Sequence, residues 1–419
     1  NIIVTANGNI SLLNNVTFSI SSKLTINNGG TFSANTFIFT FTSGTIEVLS
    51  GGTIANSGTI KTQGTVTINP RTGSAFRANL NVASGTTIAA ELSSPYNGRL
   101  FGNVTVDNGA TLNTYNSSSY TLYIYGNLTN NGIITGTGSG IKFFGSALVN
   151  TGSIASPEFR FDSTSTVTSS GTFTGADIVI GGFGNVSLLS NVTFSPTSEI
   201  IINTGGVFSA NTRILTVTSG EFRVMTGGTV LNSGTVRTQG NVTINPRTGS
   251  SFNANLNVAS GTTVAVESTS PYNARLFGNV TVDNGAVLSS YISGSYTLHI
   301  YGNLTNSGTL TGSGSNVKFF GAALINNGSI ASPNFNFDST SSVSGSGTYT
   351  GGSITISANG NITLLNNVTF SPVTEFNINS GGDFTANGNI FTYNSGTFTI
   401  FTGGTVANSG TVKTQGIAT

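Results

Sequence analysis

Thirteen carboxylates and a single histidine are the side chains here best suited to acid–base or metal chemistry. Glycoside hydrolysis needs two carboxylates held across one bond, and a metal centre needs several converging ligands. The acids are scattered, and no two are adjacent. Several return at one fixed interval: Glu91 as Glu267, Asp107 as Asp283, Asp162 as Asp338. Acids far apart in sequence can still meet if the chain coils, and a face lined by clustered acids and aromatics would mark a glycan-active site. Glu158 and Arg160 point to structure instead. Two apart, they share one face of a strand as a surface ion pair, and at their counterparts, Asn334 and Asn336, both charges are gone together. His299 stands where the preceding copy has Tyr123, on the face opposite Leu122 and Ile124. An exposed, replaceable position suits neither a catalytic base nor a metal ligand. The expectation is therefore no catalytic, cofactor-binding or metal-binding residue, and no enzyme.

Other motifs read the same way. The run Thr135-Gly136-Thr137-Gly138-Ser139-Gly140 lacks the Lys-Ser/Thr and the helix of a phosphate loop, so it reads as a turn. The calcium-binding nonapeptide with Gly-Gly-x-Gly-x-Asp is absent. Without cysteine there are no disulfides and no thiolate sites, a composition that suits an exported protein. Lys61, Arg71, Arg99 and Lys142 have basic counterparts at Arg237, Arg247, Arg275 and Lys318. They read as a solvated stripe recurring once per copy, with contact to a neighbouring fibre strand as the alternative. Asn-x-Thr sequons at Asn15, Asn103 and Asn127 read first as turns entering strands and only second as glycosylation sites. Asp162-Ser163-Thr164 and Asp338-Ser339-Thr340 resemble a short O-glycosylation signal of exported Bacteroidota proteins.

The elements that must position these residues are set by a long internal repeat without insertion or deletion. Gly8-Asn9-Ile10-Ser11-Leu12-Leu13 returns from Gly184 as GNVSLL and from Gly360 as GNITLL. Residues 1–176 form one copy, 177–352 a second, and 353–419 the start of a third. The chain begins at Asn1 without a signal sequence and stops within a copy, so both ends read as cuts from something longer. Such copying suits a fibre, stalk or spacer better than a single catalytic site.

Within each copy the pattern has period two. Val16 and Phe18 share one face while Thr17 and Ser19 share the other; Thr65–Asn69 and Asn103–Asp107 behave alike. The runs are rich in β-branched and aromatic residues and are separated by Gly, Asn and Ser turns. Across copies Phe39 becomes Leu215 and Phe391, and Phe41 becomes Val217 and Tyr393, which marks core. Phe37, just before the strand, becomes Arg213 and Asn389, which marks surface. Prolines hold register (Pro70 with Pro246, Pro95 with Pro271, Pro157 with Pro333) and are expected at corners. Gly98 aligns with Ala274 and so needs no positive φ, whereas Gly64, Gly102 and Gly126 stay glycine and are expected to need one. A shorter rhythm runs inside the long one: Gly29-Gly30-Thr31 recurs as Gly51-Gly52-Thr53, and Phe101-Gly102-Asn103 is echoed by Tyr125-Gly126-Asn127 and Phe144-Gly145. The spacings predict an all-β, right-handed parallel β-helix with roughly 19–24 residues per coil. Coils of roughly 22 residues would fit eight to a copy, so a whole number of coils per copy is expected.

Composition agrees. The chain is 37% hydrophobic but only 6% charged, with 56 Gly and no Trp. Alternating Val, Ile and Phe runs separate it from disordered low-complexity chains. A net charge of +1 predicts no capture of nucleic acid or anionic membrane. No apolar stretch approaches the ~18–20 residues of a membrane helix. Ice binding is disfavoured because outward Thr positions do not form an unbroken ladder.

The runs Tyr125-Gly126-Asn127-Leu128-Thr129-Asn130-Asn131-Gly132 and Gly51-Gly52-Thr53-Ile54-Ala55-Asn56-Ser57-Gly58 resemble repeats of large bacterial surface adhesins. These include filamentous-haemagglutinin and autotransporter passengers and giant repeat adhesins of Bacteroidota. The resemblance implies secretion, a right-handed parallel β-helix and a place on the cell surface. It carries over no functional residue and no cofactor. The expected function is a structural, non-catalytic shaft segment of an extracellular fibre or adhesin. Its expected partners are further copies of the repeat in cis, other fibre strands and surface glycans. The alternatives are a self-assembling filament subunit and a glycan-binding or glycan-degrading β-helix.

Overall fold

Alternating apolar and polar residues make strands with one face to bury, and short strands between turns can bury it only by surrounding a common interior. The computed structural model shows that arrangement. It describes residues 1–419 except 20–22, 56–57, 91–97, 115–120, 137, 139, 267–272, 291–295, 313, 315, 408 and 416–419. Glu91, Glu267, Pro95 and Pro271 lie outside the described residues, as do Thr137 and Ser139 of the glycine-rich run. The described residues form strands and no helix. They divide into two compact units, Asn1–Arg213 and Ile214–Thr419.

In the first unit, each strand pairs in parallel with the strand three places on in the chain, which generates three sheets. The first sheet runs from Ile2–Val4 through Lys23–Ile26 and Gly44–Val48 to Val192–Phe194. The second runs from Asn9–Ser11 to Glu199–Ile202, and the third from Val16–Phe18 to Val207–Ser209. The second unit repeats the plan, its three sheets beginning with Ile214–Val217, Gly220–Val224 and Thr229–Val230. Each unit is thus a parallel β-solenoid.

Most inward positions are apolar turn after turn. Phe39, Phe41, Leu215, Val217, Phe391 and Tyr393 are all fully buried, as the comparison of copies required. Each such side chain stabilises its turn by about 1.5–3 kcal/mol. Phe37 is half-buried and Arg213 exposed.

Turn length varies more than the sequence suggests. Gly98 pairs with Leu122, at the long end of the expected range, but Ile141 pairs with Phe159, below its short end. The short turns, clustered between positions 121 and 180, overturn the expectation of a whole number of coils per copy. In the first unit, eight turns from Ile2–Val4 bring the first sheet to Thr172–Phe173. The sequence equivalent of Ile2–Val4 is the next strand, Asp177–Ile180, in the second sheet. In the second unit, Ile214–Val217 opens the first sheet, whereas its equivalent Ile390–Tyr393 lies in the second. A copy therefore advances eight turns and one strand, and every position must fit whichever of the three sheets it enters.

Corners are shaped by glycine in two ways. Gly64 and its counterpart Gly240 have φ of 76° and 82°, as expected. Gly102 and Gly126 do not have positive φ. A Cβ on Gly102 would lie 2.2 Å from the Ala78 carbonyl oxygen, and one on Gly126 would lie 2.2 Å from that of Gly102. Close approach between successive turns, not backbone handedness, keeps them glycine. Pro157 and Pro333 sit at corners, but Pro70 and Pro246 are the last residues of the strands Thr65–Pro70 and Val242–Pro246. A strand terminus tolerates the missing N–H as a corner does.

Candidate interaction surface

The glycine column just described brings neighbouring corners close and aligns the residues before each glycine. Phe101, Tyr125 and Phe144 precede Gly102, Gly126 and Gly145 and form a ladder along the second sheet of the first unit. Ring centroids are 4.8 Å apart at both steps, with planes within 15° of parallel. The second unit builds the same ladder from Phe277, Tyr301 and Phe320, at 4.8 and 4.7 Å. These distances fall in the offset-stacked range that ring quadrupoles favour. Ring faces are used up within the ladder, so ring edges meet solvent; Phe101 and Phe277 are 37% and 38% exposed. The echo of Phe-Gly, Tyr-Gly and Phe-Gly is the sequence signal for this ladder.

Beside the ladder runs a column of outward residues in register: Arg99, Tyr123, Lys142 and Arg160. The Arg99 guanidinium and the Lys142 ammonium lie 5.7 and 5.6 Å from the centre of the Tyr123 ring, one on each neighbouring turn. Arg77 lies 5.9 Å from the Phe101 ring at the start of the ladder. Cation–π contacts of this kind contribute about 0.5–1 kcal/mol each at exposed sites. Two residues before Arg160 on its strand, Glu158 begins a separate, acidic column in register with Asp177 and Glu199. Arg160 pairs not with Glu158, as expected, but with Asp162, Nε to Oδ1 at 2.7 Å. The Glu158 charge is left in the acidic column.

The basic residues therefore do not form one stripe. Arg99 and Lys142 come together, and so do Arg275 and Lys318, which flank His299 in the second unit. Lys61 lies in the third sheet of the first unit. Arg71 is held by Glu47, whose carboxylate also takes Lys23 Nζ at 2.5 Å. Burial would raise the Glu47 pKa, but hydrogen bonds and charge from Lys23 and Arg71 together hold it below the ordinary value. Glu221 is held down in the same way by Arg223, Asn245 and the charge of Arg247, against the upward push of burial.

His299 is half-buried rather than freely exposed. Burial first, then the charges of Arg275 and Lys318, lower its pKa to about 4, with Asp338 opposing. It is a neutral imidazole near pH 7. Among the described residues, no group of three or more His, Asp or Glu is arranged to hold a metal ion.

The sequon asparagines have a structural task. Asn79 Oδ1 accepts the Asn103 N–H, Asn103 Oδ1 accepts the Asn127 N–H, and Asn127 Oδ1 accepts the Ala147 N–H, at 2.9–3.0 Å. Asn15 Oδ1 likewise accepts the Ile38 N–H at 2.9 Å. Each link satisfies a corner N–H that the sheets leave over. Ser163 of the Asp-Ser-Thr run donates its hydroxyl to the Phe144 carbonyl at 2.7 Å.

No helix of the described residues is long and apolar enough to cross a membrane. No protein-family model matches this chain, and no curated protein matches its sequence.

Proposed function

We propose that this chain is a non-catalytic structural segment, a shaft of an extracellular bacterial surface fibre or adhesin. The observation that carries this reading is the repetition of one mechanical unit. Inward apolar columns continue from turn to turn in each unit, and parallel pairing gives every internal strand two neighbours. A solenoid of this kind adds material without adding a new fold, which is the property a spacer needs. The outward surface is dominated by Thr, Ser and Asn, and its sequon asparagines are spent on corner bonds.

The test is electron microscopy of the native material with antibody raised against this chain. Labelled thin fibres projecting from intact cells are expected. Label confined to the cell interior, or isolated particles that degrade a polysaccharide, would refute the proposal.

A further inference from the structure

A recess of about 350 Å³ opens on the outward face of the first sheet of the second unit. Small-ligand sites have volumes of about 300–1,000 Å³. Two register columns line it. Ile214, Thr235 and Asn255 stand in one, and Arg237, Asn257 and Thr281 in the other. Bonds within the sheet decide which polar atoms are left for a ligand. Asn255 Oδ1 accepts the Asn279 N–H at 3.0 Å, and Asn279 Oδ1 accepts the Asn303 N–H at 2.9 Å, so both amides keep Nδ2 as a donor. Asn257 Nδ2 donates to Asp283 Oδ1 at 3.0 Å, which leaves Asn257 Oδ1 as an acceptor. The Thr235 and Thr281 hydroxyls serve as either. The lining contains no carboxylate to neutralise Arg237, whose Nε is buried without a hydrogen-bond partner among the described residues. A charged donor left unmet is costly, and an anion at the guanidinium offsets that cost.

This lining is kept where other exposed positions drift. Thr65 becomes Asn241 and Arg77 becomes Asn253 in the second copy. The first unit nevertheless places Thr59, Asn79, Asn81 and Thr105 in the same register, with Lys61 where Arg237 stands. Asn81 again donates to an aspartate, Asp107, at 3.0 Å. The third copy opens the same pattern with Ile390, Thr411 and Lys413. One cation among uncharged donors and acceptors suits a polyhydroxyl ligand with a single negative group. It does not suit a polyanion such as nucleic acid, whose capture takes many cations. Ile214 gives the recess an apolar end against which the C–H face of a sugar ring can rest.

We propose that this recess binds an acidic saccharide, with a uronate carboxylate on Arg237 and ring hydroxyls on the amides and threonines. Lys61 centres a weaker site of the same kind in the first unit, because an ammonium lacks the planar fork that matches a carboxylate. The inference goes beyond the shaft reading and does not rest on it.

The test probes the full chain against arrayed oligosaccharides of galacturonate, glucuronate and mannuronate, their carboxyl-reduced counterparts and sulfated galactans. Saturation-transfer NMR then follows the strongest binder. Binding to at least one uronate series, and none to its reduced counterpart, is expected. Arg237→Gln should weaken binding at least about tenfold. Lys61→Arg should tighten it, and Arg275→Gln/Lys318→Gln should leave it unchanged. Circular dichroism checks that each variant keeps its sheet. Should Arg237→Gln lose it, Arg237→Lys takes its place, since the first unit already carries lysine there, and should weaken binding several-fold. No binding to any uronate, equal binding of the reduced sugars, preference for the sulfated galactans, or binding indifferent to residue 237 would each overturn the proposal.

Discussion

Phe101 and Tyr125 stack one turn apart, with ring centroids 4.8 Å apart and planes 10° from parallel. Their backbones reach this separation because the next residue in each turn is a glycine. The site of Gly126 leaves no room for a side chain: an added Cβ would lie 2.2 Å from the Gly102 oxygen and 2.6 Å from the Asn103 nitrogen, both backbone atoms. Such a contact cannot be relieved by a rotamer change.

Gly126→Ala is therefore expected to destabilise the protein by more than the ~1–3 kcal/mol typical of an overpacked core. Gly98→Ala is the control, because Ala274 occupies the equivalent position at the start of its strand. It should change stability by less than about 0.5 kcal/mol. Thermal unfolding followed by circular dichroism separates the two; equal midpoints would show that the corners give way.

The sequence makes some of this legible and hides the rest for a physical reason. Local periodicity identifies strand faces, because alternation needs only near neighbours; Phe39 and Phe41 illustrate it. The long repeat identifies a solenoid, because only stacked turns absorb end-to-end copying. The number of turns in a copy escapes the sequence because it depends on pairing between turns. A long turn such as Gly98 to Leu122 and a short one such as Ile141 to Phe159 open alike, with a basic residue, an apolar residue and Phe-Gly. The partner of Arg160 escapes it for a related reason. Glu158 and Asp162 are both two positions away on the same face, and spacing alone does not choose between them. The cations around Tyr123 come from turns before and after it, so the sequence shows them only as scattered basic residues.

His299 supplies a pH test with an unambiguous signal, since it is the only histidine. Its folded pKa is about 4, against an ordinary value of 6.5. Between those values the unfolded chain binds a proton that the folded chain refuses. Stability is then fully present above pH 6.5 and is lost as pH falls toward 4. The imidazole C–H resonances should titrate near pH 4, and His299→Tyr, which installs the residue found at 123, should remove this part of the acid destabilisation. An imidazole titrating near 6.5 would mean that neither burial nor the charges of Arg275 and Lys318 act on it as the structure places them.

The buried asparagines test whether polar columns hold the corners inside as they do outside. Asn130 and Asn150 are fully buried; Asn130 Nδ2 donates to Asn150 Oδ1 at 2.8 Å and to the Ser153 carbonyl at 3.1 Å. Asn150 Nδ2 donates in turn to the Thr172 carbonyl at 3.2 Å. The second unit repeats the link between Asn306 and Asn326 at 2.8 Å. In the same column, one turn before Asn130, stands Val106, so the site accepts an apolar side chain in principle. Asn130→Val alone strands the Asn150 oxygen and should cost about 1–3 kcal/mol. Adding Asn150→Val removes the stranded group, so the double variant should lose less than the sum of the singles by at least ~0.5 kcal/mol. Urea unfolding of the four proteins in the cycle gives that coupling directly. Strict additivity would show that the two amides act on their own corners and not on each other.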